Sequence, residues 1–369
     1  MTMELGYFAM PLHPPGADLG QTMRDDMDQI VLLDQLGYSE AWVGEHYTSA
    51  WENIPSPDLF LAEAIGRTAQ ITLGTGVTCM PNHNPFQLAH RIAQLDQQAQ
   101  GRFIWGIGSG ALPTDFESFG VDAESGEHRP LTLETLEMVL KIWEGLPAGH
   151  YSNKFWSFNV PERREDLGMW MHIKPHQQPH PPIAVAGLNK GSETLQLAGE
   201  RGWIPMSINY VPTWVLETHW QAVTEGAARS GLTPRRSNWR IAREVFVAPT
   251  MEEARAEALG GTLARDFDGY FRPLLEEFGF LEVAKHDVSM PDAAVTAEYM
   301  VDNRYLIGSP EEVAQQIRTL YDDVGGFGVL LAMGHEWTPR GAWEQSMRLL
   351  SEEVMPMVAD LIPEQAAAP

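Results

Sequence analysis

This 369-residue chain has a single cysteine, Cys79, so no intrachain disulfide can form and a cysteine-rich metal site is excluded. Basic residues are scarce too: 25 Lys and Arg stand against 50 Asp and Glu, for a formal charge of −25. That balance lacks the basic footprint that nucleic acid demands, and it disfavours anionic membrane surfaces. Any bound phosphate has to be held locally, by backbone N–H groups or a few cations, against the overall field. No apolar run reaches the ~18–20 residues of a membrane helix. The segment MTMELGYFAM has no basic stretch followed by a long apolar one, so it does not read as a signal peptide. The expectation is a soluble cytoplasmic protein without nucleic-acid or membrane partners.

What is present is a globular composition, 44% hydrophobic and 20% charged. Short apolar runs alternate with amphipathic segments, as repeated strand–helix units do. Strands are predicted at 4–9, 40–44, 71–76, 103–107, 183–186, 203–207, 240–247 and 327–333. Eight such runs favour a closed barrel over an open doubly wound sheet, and one barrel domain spanning 1–369 accommodates the length. Leu133, Leu136, Leu140 and Trp143 recur at helical spacing, as do Val313, Ile317, Leu320 and Tyr321. Helix starts are signposted by Ser309-Pro310-Glu311-Glu312 and Thr250-Met251-Glu252-Glu253. Two insertions, about 149–180 and 264–305, are aromatic and without clean period. They read either as substrate walls or as packed excursions. The tail 364–369 is expected to fray.

Four stretches are positioned to carry chemistry. Glu45-His46-Tyr47 directly follows a predicted strand, on the edge where barrel enzymes work, and a histidine there can exchange protons near neutral pH. A satisfied core histidine is the competing reading. The run from Leu73 through Gly76-Val77 to Pro85 is dense in small residues and proline; it suits close approach of a flat ligand or an ordinary turn. Gly106-Ile107-Gly108-Ser109-Gly110 invites a dinucleotide reading, but Leu112-Pro113 follows and no helix pattern starts, so a glycine-rich loop beside a ligand is preferred. Finally, Gly187-Leu188-Asn189-Lys190-Gly191-Ser192-Glu193-Thr194 opens a helix. Its N–H groups and hydroxyls suit phosphate, unless Ser192 is only an N-cap. The scattered His46, His83, His90, His128 and His335 show no metal-ligand spacing, so no metal is expected. Trp105, Trp156, Met206, Met333 and Trp337 suit either a dry substrate pocket or the core.

Taken together, WVGEHYTSAWENIPSPDLF, ITLGTGVTCMPNHNP, GRFIWGIGSGALPTDFESFG, LAGERG, GSPEEVAQQI and GGFGVLLAMGHEW resemble the bacterial luciferase-like flavin monooxygenases. The likeness is strongest to the branch holding limonene 1,2-monooxygenase and the diketocamphane monooxygenases. It covers nearly the whole chain in order and is weakest in the insertions, which are therefore expected to set the substrate. The resemblance implies an α/β fold, a (β/α)8 TIM barrel with insertions, and FMN at the strand C-termini. It places the family's proton-handling histidine at His46 and its non-proline cis peptide at Gly76–Val77, against which the flavin ring packs. The luciferase phosphate cradle has an arginine where this chain has Ser109. Phosphate contacts are therefore expected from Ser192, Thr194 and nearby N–H groups with Arg129, and Ser109, Gly110, Gly187 and Gly191 are expected among the other cofactor-binding residues. Trp105, Trp156 and Trp337 are the expected substrate contacts.

The implied activity is a two-component monooxygenation. A separate NAD(P)H:flavin reductase supplies FMNH2, O2 adds to the flavin as a C4a-peroxide, and a small apolar or cyclic organic molecule is epoxidised, hydroxylated or subjected to Baeyer–Villiger insertion. A homodimer is implied as well. The alternatives are a deazaflavin-dependent dehydrogenase or reductase of the same fold, and a non-catalytic luciferase-like subunit.

Overall fold

In the computed structural model, residues 2–10 and 12–363 are described; the tail 364–369 lies outside the described residues. The strands are β1 (Glu4–Ala9), β2 (Glu40–Val43), β3 (Thr72–Thr75), β4 (Thr78–Cys79), β5 (Phe103–Gly108), β6 (Gly149–Ser152), β7 (Ser157–Val160), β8 (Ile183–Gly187), β9 (Ile204–Ser207), β10 (Arg240–Arg243), β11 (Val245–Val247), β12 (Leu306–Gly308) and β13 (Val329–Gly334). The helices are α1 (Leu19–Gln35), α2 (Pro57–Arg67), α3 (Pro85–Ala99), α4 (Pro113–Phe119), α5 (His128–Glu144), α6 (Glu193–Arg201), α7 (Thr213–Ser230), α8 (Met251–Gly260), α9 (Thr262–Asp266), α10 (Arg272–Glu277), α11 (Ala297–Asn303), α12 (Pro310–Val324) and α13 (Arg340–Leu349). A π-helical turn, Phe267–Phe271, joins α9 to α10. No described helix is long and apolar enough to cross a membrane.

The chain forms two compact units. The first comprises the residues up to Trp42, the short segment Ala50–Asn53, and everything from Ala184 onward. Its strands run in the order β2-β1-β13-β10-β9-β8, with parallel registers such as Tyr7 opposite Ala332 and Ile241 opposite Leu330. Glu40 on β2 and Arg240 on β10 form a buried ion pair, Nη2 to Oε2 2.9 Å. Their strands are not neighbours, so the pair reaches over β1 and β13. Gly6 on β1 makes room for it, since a Cβ there would come 2.8 Å from Glu40 Cγ. The second unit holds Val43–Ser49 and Ile54–Ile183. In it β5 pairs in parallel with both β3 and β4, and α3 and α5 supply buried faces.

Most predicted elements are present, with informative differences. The run 240–247 is broken at Glu244: β10 stays in the main sheet while β11 leaves it to pair with β12. The stretch 149–180 contains an antiparallel hairpin, β6–β7. In α5 the buried face is carried by Leu131, Thr135, Leu136, Val139, Ile142 and Trp143, while Leu133 is exposed. The proline of Leu112-Pro113 starts α4 rather than forbidding a helix, because a missing N–H costs nothing at the first helical position. Ser309 and Glu312 close the expected capping box, and Thr250 accepts from the Glu253 N–H.

Helices α6 and α7 cross at a pair of glycines. A Cβ on Gly199 would lie 1.9 Å from Val223 O, and one on Gly226 would lie 1.8 Å from Gln196 O. Backbone atoms cannot yield as side-chain tips do, so Gly226→Ala is expected to cost about 1–3 kcal/mol. Gly66→Ala on α2, where nothing lies within 4 Å of the added carbon, is expected to gain up to about 1 kcal/mol. Denaturant midpoints of the two variants, at unchanged slope, check both signs.

Candidate active site

In the second unit the residues after β2 turn sharply. Glu45 points inward: it is buried and contacts His83 Nε2 through both carboxylate oxygens at 3.0 Å. Arg91 donates to His83 Nδ1 at 3.4 Å, which leaves the imidazole proton on Nε2 for Glu45. His46 takes the other direction. Its side chain is 15% exposed, with Nδ1 3.5 Å from Asp115 Oδ2. Asp115 lies at the start of α4 and accepts from the Thr48 hydroxyl at 2.5 Å and the Tyr47 N–H at 3.2 Å. Burial works to raise this carboxyl, but His46, Thr48 and the Tyr47 N–H outweigh it and hold it below the usual aspartate range. The arrangement is a carboxylate fixed by two donors, with an imidazole nitrogen 3.5 Å from it.

The expected cis peptide is present at Gly76–Val77, and the Gly76 N–H bonds to Val43 O at 2.7 Å. The glycines around it have packing reasons. A Cβ on Gly108 would meet Val77 Cγ2 at 2.5 Å, and Gly110, at φ +82°, lies against Phe116. Ser109 accepts from Thr132 on α5 at 3.0 Å. The first turn of α5 has no capping side chain; it carries Arg129, which is exposed, and His128, whose Nδ1 has no hydrogen-bond partner among the described residues. Burial, with Arg129 adding to it, lowers the His128 pKa. Trp156 packs on Phe116, Val121 and Leu131 and donates to Thr135 at 2.8 Å. Trp105 is fully buried, donates to Thr78 at 3.1 Å and meets Trp143 edge-on. It therefore serves the strand–helix core, the second of its two sequence readings.

In the first unit the loop from Gly187 leads into α6 with Ser192 as N-cap. The hydroxyl protons here are already spent. Thr194 donates to Ala186 O at 2.8 Å, Ser192 lies 2.8 Å from Thr194, and Ser192 accepts from the Leu195 N–H. The Gly191 N–H donates to Thr218, and Gly187 is required because a Cβ would strike Leu195. An anion at this turn would therefore rely on backbone N–H groups. Behind the loop, His219 bridges Ser207 and Asn189 O, and burial lowers its pKa to about 4 against the opposing backbone contacts. Trp337 is buried and donates to Tyr7 Oη at 3.2 Å.

Sequence reasoning missed a partly buried ionic network around His335 and Glu336. His13, after β1, holds Asp26 of α1 at 2.9 Å and reaches toward Glu336 at 3.7 Å. Arg265 bonds Glu336 at 2.5 Å and Asp266 at 2.7 Å, and Asp266 Oδ2 lies 2.7 Å from His335 Nδ1. The only advance signal was GHEW at the end of a predicted strand; the partners are 69 and more residues away.

The luciferase-like monooxygenase family model matches residues 3–326, and the chain belongs to that family, with its (β/α)8 barrel fold. Among characterised relatives, it is 32% identical to 3,6-diketocamphane 1,6-monooxygenase of Pseudomonas putida, over 97% of this chain and 99% of that one. It is 30% identical to limonene 1,2-monooxygenase of Rhodococcus erythropolis, over 96% and 86%. A solved structure, the oxygenating constituent of 3,6-diketocamphane monooxygenase from Pseudomonas putida, is a type II Baeyer–Villiger monooxygenase in complex with FMN. It superposes with a TM-score of 0.92 at 31% identity, covering 99% of this chain and 100% of that one. The family and the fold expected from the motifs are thus borne out.

The ionic network makes stability depend on pH in a defined way. The carboxylates of Asp26 and Glu336 overcome burial and raise His13 from 6.5 to about 9. Its contribution is complete below 6.5 and is lost as pH rises through about 9. His13, then Arg265 against burial, lower Glu336 from 4.5 to about 2; its contribution is complete above 4.5 and lost as pH falls through about 2. The two overlap fully between 4.5 and 6.5. Unfolding free energy measured against pH is expected to fall on the alkaline side by on the order of 3 kcal/mol. His13→Gln should flatten that alkaline fall.

Proposed function

We propose that this chain is the oxygenating component of a two-component, FMN-dependent monooxygenase acting on a small apolar or cyclic organic substrate. The observation that carries the reading is the His46–Asp115 pair at the end of β2, in a chain of this family. Reduced FMN and O2 supply the chemistry when bound: one oxygen atom enters the substrate, and the other leaves as water with the flavin's reducing equivalents. A separate NAD(P)H:flavin reductase provides the reduced flavin, and the active form is a homodimer.

The second unit fits such a cofactor. Asn82 Oδ1 and His128 Nδ1 have no hydrogen-bond partner among the described residues, and they offer polar contacts of the kind a flavin's amide edge and phosphate require. The uncapped first turn of α5 with Arg129 and Ser109 supplies a locally positive cradle. The ring is assigned to the Gly76–Val77 segment. His46 holds or releases the proton that decides between two outcomes: epoxidation or hydroxylation when the reacting oxygen keeps its proton, Baeyer–Villiger insertion when it does not. Asp115 acts through His46 as a positioning residue.

With a flavin reductase, NADH and O2, a panel of terpenes, cyclic ketones and aromatics is expected to yield at least one oxygenated product. His46→Ala should lower its rate by ~10²–10⁴-fold and divert O2 to H2O2. Asp115→Asn should cost about tenfold and alter the pH profile while leaving FMN affinity unchanged. Unchanged turnover in His46→Ala, or H2O2 as the sole product across the panel, sinks the reading.

A further inference from the structure

The buried polar atoms of the first unit that have no hydrogen-bond partner among the described residues include Tyr210 Oη, Glu244 Oε2 and His335 Nε2. They follow the ends of three adjacent strands, β9, β10 and β13, and their side chains belong to residues 7%, 0% and 2% exposed. Leaving such an atom unpaired is costly, so a native interior holds few of them. Tyr210 Oη and Glu244 Oε2, after the neighbouring strands β9 and β10, call for a common partner.

The surroundings are built rather than accidental. The Asn209 amide donates to Glu244 Oε1, which settles which carboxyl oxygen remains open. Arg243 clamps the loop bearing Tyr210 by donating to Asn209 O at 3.1 Å and Val211 O at 3.0 Å. Asp266 holds His335 through Nδ1. Beside the polar atoms stands an aromatic wall: Phe271 meets Tyr210 edge-on at 4.8 Å, and Tyr270 packs on Phe271 and stacks on Trp51. The π-helical turn carries both of its phenyl rings, a device often found at functional sites.

The protonation state follows from burial. Sealing from water raises the Glu244 carboxyl above the usual glutamate range, against the opposing pull of His335 and Asn209, and burial keeps the Tyr210 phenol protonated. With Oε1 already accepting from Asn209, Oε2 is the oxygen that carries the proton whenever the carboxyl is neutral. Tyr210 and a neutral Glu244 then present two buried O–H donors on the loops after β9 and β10. A tyrosine with a neutral carboxylic acid is a known means of binding and polarising a carbonyl oxygen.

We propose that Tyr210 and Glu244 form a two-donor clamp for the carbonyl oxygen of a cyclic ketone substrate, beside the Phe271–Tyr270–Trp51 wall. This rests on the oxygenase reading for its catalytic meaning, but the binding stands separately. A hydrocarbon of the same shape leaves both donors buried and unpaired, and that asymmetry is the source of selectivity.

The test titrates the full-length protein, with oxidised FMN present throughout, with camphor and norcamphor against bornane and norbornane. At least one ketone is expected to bind ~10-fold or more tightly than its matched hydrocarbon. Tyr210→Phe should remove that preference without changing hydrocarbon affinity. Glu244→Gln, whose amide still donates, should keep it, while Glu244→Ala loses it. The infrared carbonyl stretch of bound ¹³C-labelled ketone should shift to lower frequency and move back in Tyr210→Phe. Equal affinity within every pair, no ketone binding, or an undiminished preference in Tyr210→Phe overturns the clamp. A ketone preference with no oxygenated product from reduced FMN and O2 leaves the clamp intact and removes the oxygenase reading instead.

Discussion

A parallel strand cannot turn straight back on its neighbour, so each one needs a crossover and all strands of a sheet end on the same edge. Much of the chemistry in this protein depends on that constraint. Within the second unit it puts His46, the Gly76–Val77 segment and Ser109 on the loops that follow β2, β3 and β5. Within the first it puts Tyr210, Glu244 and His335 after β9, β10 and β13. The opposite edge is used for stability: Glu40 and Arg240, at the starts of β2 and β10, close their ion pair over Gly6.

Charged groups at the functional edges are buried, and burial is what gives them defined roles. Asp115 stays ionised because two donors and an imidazole face it; the same carboxyl without them would be pushed toward neutrality by desolvation. Glu244 has fewer such donors and moves the other way. The two acids illustrate how burial and neighbouring donors push the same carboxyl chemistry in opposite directions. The Asp26–His13–Glu336–Arg265–Asp266 network is of a third kind, a set of paired charges that joins α1, α9 and the loop after β13.

The legible parts of the sequence were local ones. The strand before Glu45-His46, the capping box at Ser309, and the Ser192 cap each involve residues within a few positions of one another, so spacing alone exposes them. Glycines were harder to interpret. Gly108 and Gly187 suggested close approach of a ligand, whereas the contacts that require them are Val77 and Leu195, within the protein itself. Proline misled in a similar way at Pro113, where it opens α4. Trp105 could be wall or core by composition, and the hydrogen bond to Thr78 with the edge of Trp143 against it puts it in the core.

The sequence by itself determined the alternation of strand and helix, the family, and the candidacy of His46, because hydrophobic period and short motifs are written over contiguous residues. Only the tertiary structure decided which groups face one another. Asp115 lies 69 positions from His46, Asp266 lies 69 from His335, and Asn209 lies 35 from Glu244. Charge state depends on burial, and burial is set by packing between distant segments. No local pattern encodes it.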